Sequence, residues 1–322
     1  MVLVVVRNRE VMIKGYGETA PGSGRTPDAS SFIRLCSVSK VLTADVLLKL
    51  VADGHASLND PLQRYAPHGK LVPTGDDGTQ ITLLDLATHT AGLTREVSSY
   101  PRKTPHFTFP GYAFRWSWLP TQKLISNPGT VAIYSNIGFD LLGDALATAT
   151  GEPFAQLLHD RLLHPLNMWD TTLFPSVDQC ARLLQPIKEE GLCTATEASG
   201  ASGGLYSTGA DMAKLLQYLL QTPGVPAQPA AALAVQLDPQ KLKSFEVSVT
   251  PETPPASALH GFKSAIPTTL PQSSKKPEAA LVSPPTSPSI AAVRPAFLLR
   301  LRGAKTTRRS ISSRSPTTCW PH

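Results

Sequence analysis

No apolar run in the 322-residue chain approaches the ~20 residues that a membrane-crossing helix needs, which argues against an integral membrane protein. Cysteine is scarce. Four residues with no C-x-x-C pair among them exclude a disulfide-dense miniature scaffold and give no thiolate metal or redox pattern. Aromatic residues amount to 7% and do not interleave with basic ones, so no nucleic-acid-binding signature is present. There are no internal repeats. The opening Met1-Val-Leu-Val-Val-Val6 is too brief for the apolar region of an export signal and has no small-residue cleavage site. Nothing in these patterns calls for a metal or a cofactor, and oligomeric state is not legible.

What is there suffices for one large domain or two moderate ones, with 41% apolar residues to fill a core. The averages hide a seam. Residues 1–225 carry 18 Lys+Arg against 20 Asp+Glu, a net −2, whereas residues 226–322 carry 12 against 4, a net +8. Fifteen of the 30 prolines fall in that last stretch. The expected organisation is therefore a near-neutral globular part, 1–225, and a basic Pro/Ser/Thr-rich tail, 226–322, without regular structure. A basic tail admits a second reading, a module that binds nucleic acid or an anionic surface.

Periodicity within the first part predicts an N-terminal hairpin from Val2–Val6 and Glu10–Gly15. A loop over Pro21–Ser30 precedes a long helix opening at Ser37 and stopped by Gly54, with Val41, Leu42, Val46, Leu47 and Leu50 at helical spacing. A short helix is expected over Leu83–Thr88 and a long irregular segment over 94–125, holding Trp116 and Trp118. Helices follow over Asn136–Thr150, ending at Gly151, and over Glu152–Leu163. A last helix starts at Thr208 and runs to Leu220. Beyond Pro226 only a turn of helix over Ala230–Leu237 suggests itself. A hairpin alone is not stable in water, so it calls for partner strands from the C-terminal part, and none is legible there as written.

Two constellations can carry chemistry. In Ser37-Val-Ser-Lys40, residues three apart on a helix share a face, so Lys40 can reach the Ser37 hydroxyl and, once unprotonated, accept its proton. A capping serine beside a surface lysine explains the same letters. Tyr134-Ser-Asn136 follows the turn Asn127-Pro-Gly129 and precedes an apolar helix; Asn136 reads either as a helix cap or as an amide that holds a substrate amide. Tyr134 reads as a packed ring or as a phenol that relays a proton. His89 fits a structural helix end better than a base, Ser202-Gly-Gly204 a tight turn better than a phosphate loop, and Cys36 a small buried residue.

Taken in order, the motifs say more. Ser37-x-x-Lys40, Leu86-x-x-His89-Thr-Ala-Gly92-Leu93, Pro128-Gly129 leading into Tyr134-Ser-Asn136, and Ser202-Gly-Gly-Leu-Tyr206-Ser-Thr208 together resemble the serine β-lactamase and penicillin-binding-protein superfamily, in its class C-like branch. Tyr16-Gly-Glu-Thr-Ala-Pro-Gly22, Asn59-Asp-Pro-Leu62 with Tyr65-Ala-Pro67, and Asp178-Gln-Cys180 look closest to AmpH-type D-alanyl-D-alanine carboxypeptidase/endopeptidases. The resemblance spans about residues 1–225. It implies an α/β (α+β) fold, an antiparallel sheet with flanking helices and a helical subdomain. It also implies acyl transfer on D-Ala-D-Ala peptidoglycan peptides or β-lactams: Ser37 as nucleophile, Lys40 as base, Tyr134 passing the proton to the leaving nitrogen, and Asn136 orienting the acyl side chain. Related machinery pairs a serine with a lysine one helical turn away. Carboxypeptidase, endopeptidase, β-lactamase and esterase activities are not separable at this level. The family works in the periplasm, where Cys180 and Cys193 would pair across a short acidic loop; in the cytosol they would stay thiols. As written, without an export signal, the chain would remain cytoplasmic, so its start reads as late or internal.

One family element is missing. No Lys-Thr-Gly, whose strand lines the pocket and binds the substrate carboxylate in the family, occurs after residue 225. Yet Lys275-Lys-Pro-Glu-Ala-Ala280, encoded AAR AAR CCN GAR GCN GCN, can be regrouped from the third base to read Lys-Thr-Gly-Gly-Gly. At the same offset, Ser257–Pro267 can read Gly-Leu-Ala-Trp-Phe-Gln-Ile-Gly-Asp-Pro, and Pro285–Ser289 can read Tyr-Ile-Ala-Leu. Three collinear strand-like matches point to one change of reading frame between about residues 225 and 256, leaving the C-terminal strands unread and the chain catalytically incomplete. The coding DNA tests this: the alternate frame should spell the Lys-Thr-Gly strand uninterrupted, and a stop codon within it refutes the idea.

Overall fold

Alternation shapes the first strand. Val2, Val4 and Val6 are buried while Leu3 and Val5 are half-buried, the period-two pattern of a strand with one face on a core. The computed structural model describes residues 1–7, 9–97, 109–185, 193–221, 244–246 and 297–301. In it β1 (Val2–Arg7) and β2 (Glu10–Gly15) form the expected antiparallel hairpin, with Val2 opposite Gly15 and Arg7 opposite Glu10.

A short strand, β3 (Phe32–Arg34), runs into a 3-10 turn over Cys36–Val38 and then α1 (Ser39–Ala52). Apolar residues on all sides of α1 are buried, as in a helix at the centre of a fold, and left-handed Gly54 (φ 76°) follows its end. Next comes α2 (Leu83–Ala87), whose start is held by reciprocal bonds between Thr82 and Asp85. The expected irregular stretch over 94–125 is corrected by α3 (Tyr112–Trp118); residues 98–108 lie outside the described residues. Its seven residues, in the short stretch between Gly111 and Pro120, are too few to display a helical period. Tertiary contacts hold this helix instead: Arg115 and Trp116 both donate to Asp144.

The chain continues through β4 (Val131–Ile133), α4 (Asn136–Thr150) and α5 (Phe154–Leu158). As expected, α4 ends at Gly151, whose φ of 75° suits a residue without Cβ. The helix expected over Glu152–Leu163 is α5 plus a π-helical turn over His159–Leu163. α6 (Val177–Ala181), β5 (Tyr206–Thr208) and α7 (Gly209–Leu219) follow. Gly209 admits a close approach of α7 to the sheet, since a Cβ there would meet Val2 Cγ1 at 2.9 Å.

The expectation that nothing regular follows Pro226 is corrected at two places, β6 (Ser244–Glu246) and β7 (Phe297–Leu301); Ala230–Leu237 lies outside the described residues. β7 pairs antiparallel with β1, Val2 opposite Leu301, so the hairpin becomes a sheet of order β2-β1-β7. β6 runs parallel to β4. Phe297–Leu301 is a five-residue run free of the prolines around it, and the regional composition concealed it.

Two packing decisions position the site. β3 pairs antiparallel with β5, Phe32 opposite Thr208, which lays the start of α1 against the 201–205 loop. α4 packs on both α1 and α2. α7 is tied to α1 by Tyr218, whose hydroxyl donates to both Asp45 oxygens at 2.8 Å. Burial pushes the Asp45 carboxyl up to about 6, against the pull of Lys49. The folded chain therefore holds a proton that the unfolded chain releases near pH 4, and stability falls as pH rises from about 4 through 6. Asp45→Asn keeps an oxygen acceptor and removes the ionisation. Urea unfolding at stepped pH should show the wild type losing roughly 3 kcal/mol more than the variant across that window; parallel curves would mean that Asp45 ionises freely.

Candidate active site

Ser37 stands in a turn the backbone makes at some cost. Cys36, buried and disulfide-bonded, has a φ of 50°, a left-handed conformation unusual for a residue with a Cβ. That turn carries β3 into the head of α1 and brings Ser37 and Lys40 onto one face. Lys40 Nζ donates to Ser37 Oγ at 3.3 Å. The Tyr134 hydroxyl donates to the same oxygen at 2.5 Å. The three groups named from the sequence thus share one hydrogen-bonded centre, although 97 residues separate Ser37 from Tyr134.

Backbone contacts with the 89–95 segment set Tyr134 in place. The Ile133 N–H donates to the His89 carbonyl at 2.8 Å, and the Asn136 N–H to the Arg95 carbonyl at 2.9 Å. The Ser135 N–H donates to His89 Nδ1 at 3.1 Å. Ser135, rather than Asn136, caps α4: its hydroxyl accepts from the Gly138 N–H at 2.9 Å and donates to the Thr94 carbonyl at 2.7 Å. The Asn136 side chain is thereby released from capping. Its oxygen accepts from Lys40 at 2.6 Å, and its NH₂ donates to Glu96.

Lys40 is 1% exposed. It donates to Ser37 Oγ, to Asn136 Oδ1 and to the Ser202 carbonyl, so all three N–H bonds of an ammonium are occupied. Its nitrogen lies 4.9 Å from the centre of the Tyr134 ring and 5.5 Å from that of Phe139, and the Arg95 guanidinium lies 5.0 Å from the Tyr134 ring. Two cations therefore flank the phenol. His89 packs on the same ring at 4.6 Å. Burial, with Lys40 and Arg95 nearby, pushes the His89 imidazole down to about 3. It is neutral at physiological pH and serves as the acceptor for Ser135.

Sequence reading missed three participants. The Ser202 carbonyl belongs to the backbone, which residue identity does not reveal. Its tight turn is as expected, with the Gly203 and Gly204 N–H groups both donating to the Ser199 carbonyl. Glu96 and Asp140 carry no motif of their own, although the spacing of Asn136 and Asp140 on one helical face was available. Cys180 and Cys193 are joined, their Cα atoms 5.7 Å apart. Among the described residues no cluster of three His, Cys, Asp or Glu side chains could hold a metal ion, and no helix is long and apolar enough to cross a membrane.

A family model described as Beta-lactamase matches residues 1–255. The chain belongs to the beta-lactamase family. It is 45% identical over 222 residues to the D-alanyl-D-alanine-carboxypeptidase/endopeptidase AmpH of Escherichia coli K12, covering 69% of this chain and 57% of that protein. It is 31% identical to the human putative beta-lactamase-like 1, covering 68% of this chain and 46% of that one. The chain thus spans only about half the length of these curated relatives. Among solved structures, a beta-lactamase/D-alanine carboxypeptidase from Yersinia pestis is 38% identical with a TM-score of 0.75, covering 80% of this chain and 74% of that one. A class C beta lactamase from Rhodobacter sphaeroides, at 23% identity and a TM-score of 0.59 over 73% of this chain and 64% of that one, shares the fold.

A neutral, buried His89 in this beta-lactamase-family site has a measurable consequence. Its ring protons, followed by NMR, should not titrate between pH 5 and 8. A resonance assigned to His89 that titrates near 6.5 would mean the ring is solvated and does not brace Ser135 as described.

Proposed function

We propose that the site performs serine acyl transfer on D-Ala-D-Ala-type peptidoglycan peptides and on β-lactams. The observation that carries this reading is the convergence of Tyr134 and Lys40 on one oxygen, Ser37 Oγ. Ser37 attacks the carbonyl of the peptide or lactam. For this step the Lys40–Tyr134 pair must hold one proton fewer than the ammonium and phenol of the resting site; the pair then takes the Ser37 proton, and Tyr134 delivers a proton to the departing nitrogen. Asn136, held between Lys40 and Glu96, presents its amide to the acyl side chain. Water then hydrolyses the acyl-serine ester. The names of the relatives support this substrate class, and a periplasmic setting accords with the Cys180–Cys193 disulfide.

A second reading follows from the absent Lys-Thr-Gly strand. With residues 226–322 read in the wrong frame, the chain keeps the nucleophile, base and phenol but lacks the family's third wall, including one donor to the developing oxyanion. Loss of one such donor costs about 10²–10³ in rate. The working parts of the site then lie in residues 1–225, and the tail's basic charge has no function of its own.

Fluorescent penicillin separates the readings. Ser37-dependent covalent labelling that vanishes in Ser37→Ala, and slows by roughly 10²–10⁴ in Tyr134→Phe, supports acyl transfer. A folded chain that never labels supports the incomplete product. Labelling that survives Ser37→Ala sinks the assignment of the nucleophile.

A further inference from the structure

The acceptor that Lys40 takes from Ser202 is only as well placed as the loop that carries it. Three side chains clasp that loop besides Lys40 itself. Thr43 Oγ1 donates to the Ala201 carbonyl at 2.8 Å, Ser39 Oγ accepts from the Leu205 N–H at 3.2 Å, and Asp140 Oδ1 accepts from the Ser202 N–H at 3.1 Å. The first two are hydroxyls on α1. The third is a carboxylate, 3% exposed, on α4.

A carboxylate is an expensive way to satisfy one backbone N–H. Burying its charge is unfavourable unless strong partners compensate. The neighbouring Arg115 is engaged elsewhere, with Asp144 and with the carbonyls of Pro110 and Ala198. The position of Asp140 suggests what the charge does. Asn136, Asp140 and Asp144 stand four residues apart along one face of α4. The first holds Lys40 directly, the last anchors α3, and the middle one grips the N–H of the residue whose carbonyl holds Lys40. The helix thus reaches the ammonium twice, once through an amide and once through Ser202.

We propose that Asp140 is a positioning residue for the acyl-transfer site: it holds Ser202 by its N–H so that the carbonyl of the same residue, in the next peptide group, anchors Lys40, and it couples its own charge to that ammonium. This rests on the reading that Ser37 and Lys40 carry out acyl transfer. Burial pushes the Asp140 carboxyl up to about 7, with Asp144 on the same helix adding to the rise. Arg115 from α3, the Ser202 N–H from the loop and Lys40 from α1 oppose it. The group therefore changes charge close to neutrality, where the coupling can be observed.

The test has two arms. In the first, penicillin labelling is timed against pH in wild type, Asp140→Ala and Asp140→Asn. The alanine variant, without an acceptor for Ser202, should label about 10–100-fold more slowly. The asparagine variant should recover at least tenfold of that loss but lack the ionisation near pH 7. In the second arm the Asp140 carboxyl is followed by ¹³C NMR, assigned by Asp140→Asn, in wild type and in Lys40→Met. Removing the ammonium should move the Asp140 midpoint to higher pH.

If the wild type shows no Ser37-dependent labelling, the acyl-transfer reading fails, and the NMR arm alone decides the link between Asp140 and Lys40. An unmoved midpoint in Lys40→Met overturns the proposal. So does an alanine variant that labels as fast as wild type, or equal losses in both variants with the wild-type pH profile retained. Should Asp140→Ala not fold, the asparagine profile and the Lys40→Met titration still decide.

Discussion

An ammonium group with almost no access to water organises the centre of this protein. Lys40 on α1 cannot remain charged there without acceptors, and its three come from Ser37 one turn earlier, Asn136 at the head of α4, and the Ser202 carbonyl. A buried, unpaired charge would cost far more than any of these contacts returns singly. Satisfying Lys40 therefore obliges α1, α4 and the 201–205 loop to meet at one point. The same meeting gathers the chemistry, because Ser37 is one of the acceptors and Tyr134 immediately precedes the helix that supplies another.

The surroundings are arranged to hold that junction still. Ser135 takes over the capping of α4, which frees the Asn136 side chain. His89, kept neutral by burial, braces the Ser135 N–H and lies against the Tyr134 ring. The pairing of β3 with β5 places the start of α1 beside the Ser202 turn. Preorganisation of this kind is what an acyl-transfer site requires, since donors already aimed at the reacting atoms need not reorganise during the reaction.

Legibility varied with the range of the physics involved. The helix over Asn136–Thr150 could be read because fifteen residues show the period of an apolar face and Gly151 supplies a left-handed end. Ser37 and Lys40 could be paired because three residues of helix bring them together whatever the rest of the chain does. The helix at Tyr112–Trp118 was not legible: it is short, and its anchor, Asp144, lies 29 residues from Arg115. β7 was hidden for a related reason, since its partner Val2–Val6 lies at the opposite end of the sequence and its neighbourhood is rich in proline. The polar row of Asn136, Asp140 and Asp144 could be seen as spacing, but spacing does not reveal that it faces inward.

The sequence alone determined what depends on neighbours along the chain: the opening hairpin, the long helices and their stops, the serine–lysine pair, and the ordered motifs that mark the family. Tertiary structure decided which distant groups became partners. It chose the Ser202 carbonyl for Lys40, Asp140 for the Ser202 N–H, Tyr134 for Ser37, and β7 for the free edge of β1. Local periodicity is written in side-chain identity. A hydrogen bond across 97 or 162 residues depends on how whole elements pack, and a backbone carbonyl looks the same in every residue until packing gives it a partner.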